Sequence, residues 1–245
     1  MEQIQDQTIY DGAIAAGILD YGGFGESGTV DETDYADAPT NSWRYRVVKR
    51  SMDVVGAIMM LLLFILPGLM IAAAIVLTSK GPVFYREIRI GRGGKPFRIW
   101  KFRSMYQDAA QRAHVANAGN GGKVLQWRMS KHLEDPRITA IGGFLRKWSI
   151  DEVPQCLNVL LGEMSLIGPR PIVQAEAHLF GDLLEYYKAA KPGLSGLWQV
   201  SGRSNVDYKK RAMLDATYVM TWRLRTDFVI ACRTIPVVLQ RVGAR

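Results

Sequence analysis

The chain has 245 residues, of which 48% are hydrophobic, and a formal net charge of +8. This length suits one catalytic-sized domain with appendages, and the hydrophobic fraction is ordinary for a globular protein. The two cysteines lack metal-ligand spacing and the three histidines are scattered, which argues against a cysteine–histidine metal site and against histidine-based catalysis. We interpret Cys156 and Cys232 as reduced core residues of a cytoplasmic protein.

The charge is unevenly distributed along the chain. Residues 1–42 contain nine acidic side chains and no lysine or arginine, so the net charge of +8 leaves +17 for the other residues. The acidic segment is rich in glycine, aspartate and threonine, which predicts a disordered tail, and it lacks the basic start of a secretory signal. The basic body indicates anionic lipid or phosphorylated substrates as partners, and because no nucleic-acid-binding motif is recognisable, nucleic acid is not expected.

An uncharged run of 24 residues, 54–77, is the strongest structural signal. As a helix it would measure about 36 Å, against a hydrocarbon core of about 30 Å, so it predicts membrane contact. Lysines and arginines flank both ends, which by the positive-inside rule places both ends on the cytoplasmic side. Pro67 predicts a break that lets a re-entrant helix enter and leave the same leaflet. A kinked helix that crosses the bilayer and a buried helix of a soluble core are the alternatives.

The next segment predicts a β-hairpin. Residues 83–90 and 97–102 have strand patterns, and the glycine-rich residues 91–95 between them predict a turn. A phosphate loop is the less favoured interpretation of these glycines, because the Walker spacing is missing.

Helical patterns dominate the rest of the chain. They predict a polar helical region at residues 105–129, mostly helical structure at 142–162 and helices at 206–239, with a glycine-rich loop at 191–203. In the last region an apolar stripe recurs at spacings of three and four. Its members are Leu224, Phe228, Cys232, Ile235 and Leu239. Such a stripe packs either on the protein's own core or, given the neighbouring tryptophan and arginines, on a membrane interface.

Residues 149–155 combine adjacent carboxylates with features of a helix start. Ser149 and Glu152 have the spacing of a capping box, which would be purely structural, although Pro154 would shift the helix start downstream. The functional alternative is a paired-carboxylate site formed by Asp151 and Glu152. Several cations favour this alternative, and they are Lys101, Arg103, Arg146, Arg170, Lys191 and Arg203. Paired carboxylates among many cations predict a metal-assisted reaction on a phosphorylated substrate.

These motifs, in this order, resemble the bacterial sugar transferases, also called polyprenyl-phosphate hexose-1-phosphate transferases or monotopic phosphoglycosyl transferases. The resemblance spans residues 45–239. It covers the basic-flanked helix with Pro67 and the segments 101–105, 135–139, 145–155, 158–171 and 191–203. The short form resembles the members that start exopolysaccharide synthesis by transfer to undecaprenyl phosphate.

The resemblance implies a two-step displacement on a UDP-hexose, with galactose or glucose as the sugar. Asp151 matches the nucleophile that holds the sugar phosphate covalently, and Glu152 matches the partner carboxylate that binds Mg²⁺ together with it. Arg146 is the third expected catalytic residue. The expected substrate-binding residues are Lys101, Arg103, Arg170, Pro171, Lys191, Gln199 and Arg203.

The resulting expectation is a mixed α/β, mainly helical fold in four parts. These are an acidic tail at 1–42, a re-entrant membrane helix at 43–80, a catalytic domain with a β-hairpin at 81–205 and amphipathic interfacial helices at 206–245. The expected location is the inner membrane, in contact with its lipid, with the catalytic domain on the cytoplasmic face. A homo-oligomer is left open. The competing hypothesis is a non-enzymatic, membrane-anchored scaffold that binds anionic lipid or polymer.

Overall fold

The computed structural model of the protein describes residues 40, 42–43, 45–112, 135–201 and 208–240. The predicted acidic tail and most of the predicted polar helical region at 105–129 therefore lie outside the described residues. Within them the fold is mainly helical with small two-stranded sheets, which confirms the predicted mixed, mainly helical class.

The apolar run forms two helices joined at a sharp bend. A π-helical turn, Tyr45–Lys49, leads into α1, Arg50–Leu63, and α2, Ile65–Thr78, follows after Phe64. The two halves are bent by 60°. Pro67 lies in the first turn of α2, where its missing N–H costs little, and its ring excludes a continuous helix through the preceding turn. The predicted break at Pro67 is thus real but lies three residues earlier, at Phe64.

The side chains of this bent pair are largely exposed. Leu63, Leu66, Met70 and Leu77 each expose more than 70% of their surface. The alternative of a buried helix in a soluble core is therefore wrong. No single helix among the described residues is long and apolar enough to cross a membrane, whereas the bent pair together meets that test by length and composition.

The predicted hairpin is present. Strand β1, Phe84–Ile90, pairs antiparallel with β2, Pro96–Phe102, and the glycine-rich residues between them form a tight turn closed by a hydrogen bond from the Gly91 N–H to the Lys95 carbonyl. The rings of Phe84 and Phe102 stack at the open end of the hairpin with centroids 5.4 Å apart. The register places Lys101 opposite Tyr85.

The predicted helical region at 142–162 is confirmed as three short pieces. Helix α3, Ala140–Lys147, begins at Thr139, whose hydroxyl accepts a hydrogen bond from the Gly142 N–H. A 3₁₀ helix, Ile150–Gln155, and α4, Cys156–Leu161, follow. Next come β3, Ser165–Ile167, a 3₁₀ segment, Gln174–Leu183, and α5, Leu184–Ala189.

The prediction of a loop at 191–203 was wrong in part. Residues Gly193–Ser195 form strand β4, which pairs in parallel with β3, and Leu197–Val200 form the short helix α6. Glycine is required here for close backbone approach, because a Cβ on Gly193 would lie 2.1 Å from the Gly168 nitrogen. The same residues that suggested a loop therefore allow two strands to meet.

The C-terminal region forms two helices, as predicted. Helix α7, Tyr208–Met220, is mostly buried, whereas α8, Leu224–Leu239, buries only Thr226, Asp227 and Ile230. Most of its predicted apolar stripe points outward, with Phe228, Ile235 and Leu239 each more than 60% exposed. Packing of this stripe on the protein's own core is therefore wrong. Cys232 is exposed and Cys156 is buried, so only one of the two predicted core cysteines lies in the core.

Candidate active site

The backbone around Asp151 has an unusual conformation. Ser149 adopts the left-handed region with a φ of 56°, and the 3₁₀ helix begins at the next residue. The Ser149 side chain makes no capping hydrogen bond, so the predicted capping box is not formed. The sharp turn directs Asp151 into the protein, where it is 8% exposed. A strained residue next to a buried carboxylate is a frequent feature of functional sites.

Burial raises the pKa of Asp151, and the negative charge of Glu152 raises it further. The positive charges of Lys101 and Arg146 oppose these two effects. Two of the predicted cations therefore act electrostatically on the predicted nucleophile. The net effect is a raised pKa, which Lys101 and Arg146 limit, and Asp151 has no ion pair of its own among the contacts described.

Glu152 is held by the hairpin. The Lys101 ammonium lies 2.6 Å from the Glu152 carboxylate, and both side chains are partly buried. Asn158 fixes the position of strand β2 on α4, because its amide oxygen accepts from the Trp100 N–H at 2.9 Å and its NH₂ group donates to the Arg98 carbonyl at 2.8 Å. The register of β2 thus determines where Lys101 meets the carboxylates.

A narrow cleft that is open to solvent brings together predicted residues from several elements. Its predicted lining residues are Lys101, Glu152, Arg170, Pro171 and Gln199. Arg89 and Gln155 also line the cleft, and the sequence did not predict a role for either residue. Arg89 lies on β1 and donates to the Pro171 carbonyl at 3.1 Å, a contact between residues 82 positions apart that no local pattern signals. The cleft is therefore rich in cations and has the Glu152 carboxylate at one wall, whereas Asp151, the neighbouring residue, is not among its lining residues.

Arg103 and Lys191, two of the predicted substrate-binding cations, are placed elsewhere. Arg103 is 6% exposed and donates to the carbonyls of Ser79 and Lys80, each at 2.7 Å, at the C-terminal end of α2. It therefore binds the C-terminal end of α2, whose carbonyls need hydrogen-bond partners. The Lys191 ammonium lies near Gly162 and Arg50, away from the cleft lining. Arg203 lies outside the described residues.

The described residues would supply only some of the ligands of a magnesium ion. Among the described ranges there is no group of three or more histidine, cysteine, aspartate or glutamate side chains that could hold a metal. Mg²⁺ commonly uses one or two carboxylates together with substrate phosphates, and Asp151 and Glu152 supply that number. The donor set is thus compatible with an ion that arrives with a diphosphate.

Comparisons with known proteins identify the family of the chain. Residues 44–241 match the sequence profile of the family described as "Bacterial sugar transferase". The chain is 42% identical over 199 residues to the "Exopolysaccharide production protein ExoY" of Rhizobium meliloti (strain 1021), which covers 81% of this chain and 88% of that protein.

Two longer relatives carry more specific names. The chain is 46% identical over 201 residues to the "Undecaprenyl-phosphate galactose phosphotransferase" of Salmonella typhimurium, and 37% identical over 198 residues to the "UDP-glucose:undecaprenyl-phosphate glucose-1-phosphate transferase" of Escherichia coli (strain K12). The matches cover 81% and 78% of this chain, but only 42% and 40% of those proteins. The similarity is therefore confined to less than half the length of each of these two relatives.

Proposed function

Because the chain belongs to the bacterial sugar transferase family, we propose that it transfers a hexose 1-phosphate from UDP-galactose or UDP-glucose to undecaprenyl phosphate. The released nucleotide is UMP, and the reaction is the first membrane step of exopolysaccharide synthesis. The observation that carries the proposal is the buried Asp151 beside the Lys101–Glu152 ion pair at the wall of a cationic cleft. Family membership makes the chain a transferase, so the scaffold hypothesis is wrong as a description of its class.

The reaction has two displacements at one phosphorus atom. In the first, a carboxylate oxygen of Asp151 forms a bond to the β-phosphorus of the UDP-hexose, the bond to the bridging oxygen breaks, and UMP leaves with the electron pair. In the second, a phosphate oxygen of undecaprenyl phosphate attacks the same phosphorus and the Asp151 carboxylate leaves. The product is undecaprenyl-diphospho-hexose, and Asp151 is regenerated.

The cations of the site address the main barrier to the first step. An anionic carboxylate and a dianionic diphosphate repel each other, and positive groups fixed nearby reduce that repulsion in the transition state. Lys101 and Arg146 already favour the ionised form of Asp151. Arg170 lines the same cleft and offers phosphate oxygens the planar, bidentate contact of a guanidinium. Arg89 adds positive charge to the cleft, but its terminal nitrogens are occupied by the Glu87 carboxylate and the Pro171 carbonyl.

Asp151 and Glu152 would hold Mg²⁺, which supplies charge neutralisation to the diphosphate when bound. In the absence of the ion, Lys101 balances the charge of Glu152. Glu152 would thus be the carboxylate shared between Lys101 and the ion.

The membrane arrangement suits a lipid phosphate acceptor. The bent α1–α2 pair and the outward stripe of α8 offer apolar surface to a bilayer, and a re-entrant path would keep the cleft at the headgroup plane of one leaflet. We place that leaflet on the cytoplasmic side of the inner membrane, because both flanks of the apolar run are basic.

The direct test is nucleotide release from the full-length protein in lipid nanodiscs. With UDP-galactose or UDP-glucose and undecaprenyl phosphate, wild type is expected to release UMP, and Asp151→Asn is expected to lose at least about a thousandfold in rate, because amide nitrogen and oxygen are poor nucleophiles. The matched control, Asp182→Asn, alters an exposed aspartate outside the cleft and is expected to retain full activity.

A trapping experiment separates the covalent route from direct transfer. Wild type incubated with donor labelled in the β-phosphate, without acceptor, is expected to retain protein-linked label that addition of undecaprenyl phosphate removes. Product formation by Asp151→Asn at the wild-type rate would contradict the nucleophile assignment. Product formation by wild type without any protein-linked label would contradict the covalent route.

A further inference from the structure

The burial of Arg211, on α7, destabilises the folded protein unless a ligand binds its guanidinium group. Arg211 is 8% exposed, and its side-chain Nε and Nη2 atoms have no hydrogen-bond partner among the described residues. These two nitrogens form one edge of the guanidinium, the edge that binds two oxygens of a carboxylate or phosphate in parallel. A buried charged group with unpaired donors destabilises the folded protein unless a partner supplies acceptors.

The surroundings of Arg211 connect it to the cleft. Its guanidinium carbon lies 4.7 Å from the centre of the Trp198 ring, and the guanidinium carbon of Arg170 lies 5.1 Å from the centre of the same ring. Arg170 lines the cleft. Burial lowers the pKa of Arg211, and the positive charge of Arg170 lowers it further. The indole thus brings together two guanidinium groups that would otherwise repel each other.

The negative charges of Asp215 and Glu176 act on Arg211, but neither carboxylate forms an ion pair with it among the described residues. Asp215 lies one helical turn after Arg211, yet the described residues contain no ion pair between them, and its Oδ1 atom has no hydrogen-bond partner. Its Oδ2 atom is instead directed to the Arg170 N–H at 3.4 Å. Arg170 lies between two prolines and therefore carries the only backbone N–H of residues 169–171. Asp215 accepts from this N–H, so it positions the backbone of Arg170 and leaves the Nε–Nη2 edge of Arg211 free for a ligand.

We propose that Arg211 is a second substrate-binding arginine, which together with Arg170 binds oxygens of the donor diphosphate through its unpaired Nε–Nη2 edge. The inference deepens the proposed function, because it assumes a diphosphate-containing donor. The aromatic contacts with Trp198 and Tyr208, the latter with its ring centre 4.8 Å away, hold the guanidinium in place before the ligand arrives. Arg211 is thus prepared for an anion at the expense of stability in the ligand-free protein.

The test measures affinity and stability in the same variants of the full-length protein. Isothermal titration with inorganic pyrophosphate and with UDP gives Kd, and thermal unfolding without ligand gives the stability. Arg211→Met retains an apolar, polarisable contact with the two rings, and Arg211→Lys retains the charge but loses the bidentate edge. Lys209→Met, on the exposed side of the same helix, is the matched control.

Arg211→Met is expected to weaken binding of both probes by about tenfold or more, since two charge-assisted hydrogen bonds are lost. Its unfolding midpoint without ligand is expected to stay the same or rise, and Lys209→Met is expected to leave both quantities unchanged. Arg211→Lys is expected to fall between wild type and Arg211→Met in affinity. An unchanged Kd for pyrophosphate in Arg211→Met would overturn the inference, as would a lower unfolding midpoint with unaltered affinity in Arg211→Lys.

The use of two probes separates failure of this inference from failure of the proposed UDP-hexose donor. If wild type binds pyrophosphate but not UDP, the assignment of a UDP-hexose fails. The role of Arg211 in anion binding is then judged on pyrophosphate alone, by the same comparison of variant and wild type.

Discussion

The ammonium group of Lys49, at the end of the π-helical turn before α1, lies 3.1 Å from the carboxylate of Asp227 in α8. The same ammonium lies 3.0 Å from Asp53, and all three side chains are nearly inaccessible to solvent. Asp227 also accepts hydrogen bonds from the Tyr218 hydroxyl at 2.7 Å and the Trp222 indole at 3.1 Å. Lys49 therefore connects the start of α1 to α8 directly, and to α7 through the hydrogen bond between Asp227 and Tyr218.

Removing that cation is expected to be strongly destabilising. Lys49→Met leaves two buried carboxylates without their counter-ion, which costs about 3–5 kcal/mol in the free energy of unfolding. The measurement is chemical or thermal unfolding of the purified protein in detergent. Lys188→Met, which breaks the exposed Lys188–Glu185 pair, is the control and is expected to cost at most about 1 kcal/mol. Equal losses in the two variants would contradict the structural role of Lys49.

The pH dependence of the first chemical step is expected to report on Lys101. Burial and Glu152 raise the pKa of Asp151 while Lys101 lowers it, so Lys101→Met is expected to raise this pKa further. Only the ionised carboxylate attacks phosphorus, and the acidic limb of the rate profile should therefore move to higher pH. The rate of protein labelling by labelled donor, measured across pH, tests this expectation. Lys95→Met, in the exposed hairpin turn, is expected to leave the limb in place, and a shift to lower pH in Lys101→Met would refute the assignment.

Asp215 is expected to make stability fall as the pH rises. Complete burial raises its pKa to about 7, against about 4 in an unfolded chain. Between these values the folded state keeps the proton that the unfolded state has lost, so the contribution is fully present below about pH 4 and is lost as the pH rises through about 7, by at most about 1.4 kcal/mol per pH unit. Asp215→Asn, which stays neutral, is expected to remove this slope. Parallel stability profiles for variant and wild type would contradict the expectation.

The sequence predicted the elements whose structure is determined by neighbouring residues, which are the hairpin and the C-terminal helices. The hairpin follows from strand patterns on either side of a glycine-rich turn, and the C-terminal helices from apolar spacing. The β3–β4 pair could not be predicted, because each strand has only three residues and their partners lie about 28 positions apart. The same limit applies to Arg89, whose place in the cleft depends on a contact with Pro171.

The candidate site was predictable in chemistry but not in geometry. Asp151, Glu152 and Lys101 do come together, since β2 packs beside the 3₁₀ helix that carries the carboxylates. Arg103, only two positions after Lys101, was predicted to share its role. Strand β2 ends at Phe102, however, and the next side chain turns to the carbonyls at the end of α2. Where a strand ends is a tertiary property, so the sequence could not separate the two cations.

The bend at Phe64 leads to a topology prediction. Single cysteines introduced as Ser42→Cys and Lys80→Cys, in a background without Cys156 and Cys232, flank the bent pair on its two sides. In sealed inner-membrane vesicles, a membrane-impermeant maleimide is expected to label both positions or neither, depending on vesicle orientation, because a re-entrant helix keeps its ends on one side. Labelling of one position in each orientation would contradict the re-entrant path and favour a kinked helix that crosses the bilayer.

The outward stripe of α8 is expected to touch lipid, and Cys232 lies within it. The thiol of Cys156 is buried, which raises its pKa to about 11, so an alkylating fluorophore should react selectively with the exposed Cys232 at neutral pH. In vesicles, lipids brominated on the acyl chain are expected to quench this fluorophore, because an interfacial helix buries its apolar face several ångströms below the headgroups. The control is Lys209→Cys on α7 in a background without the native thiols, whose exposed label should be quenched less. Equal quenching at the two positions would contradict membrane contact by this face.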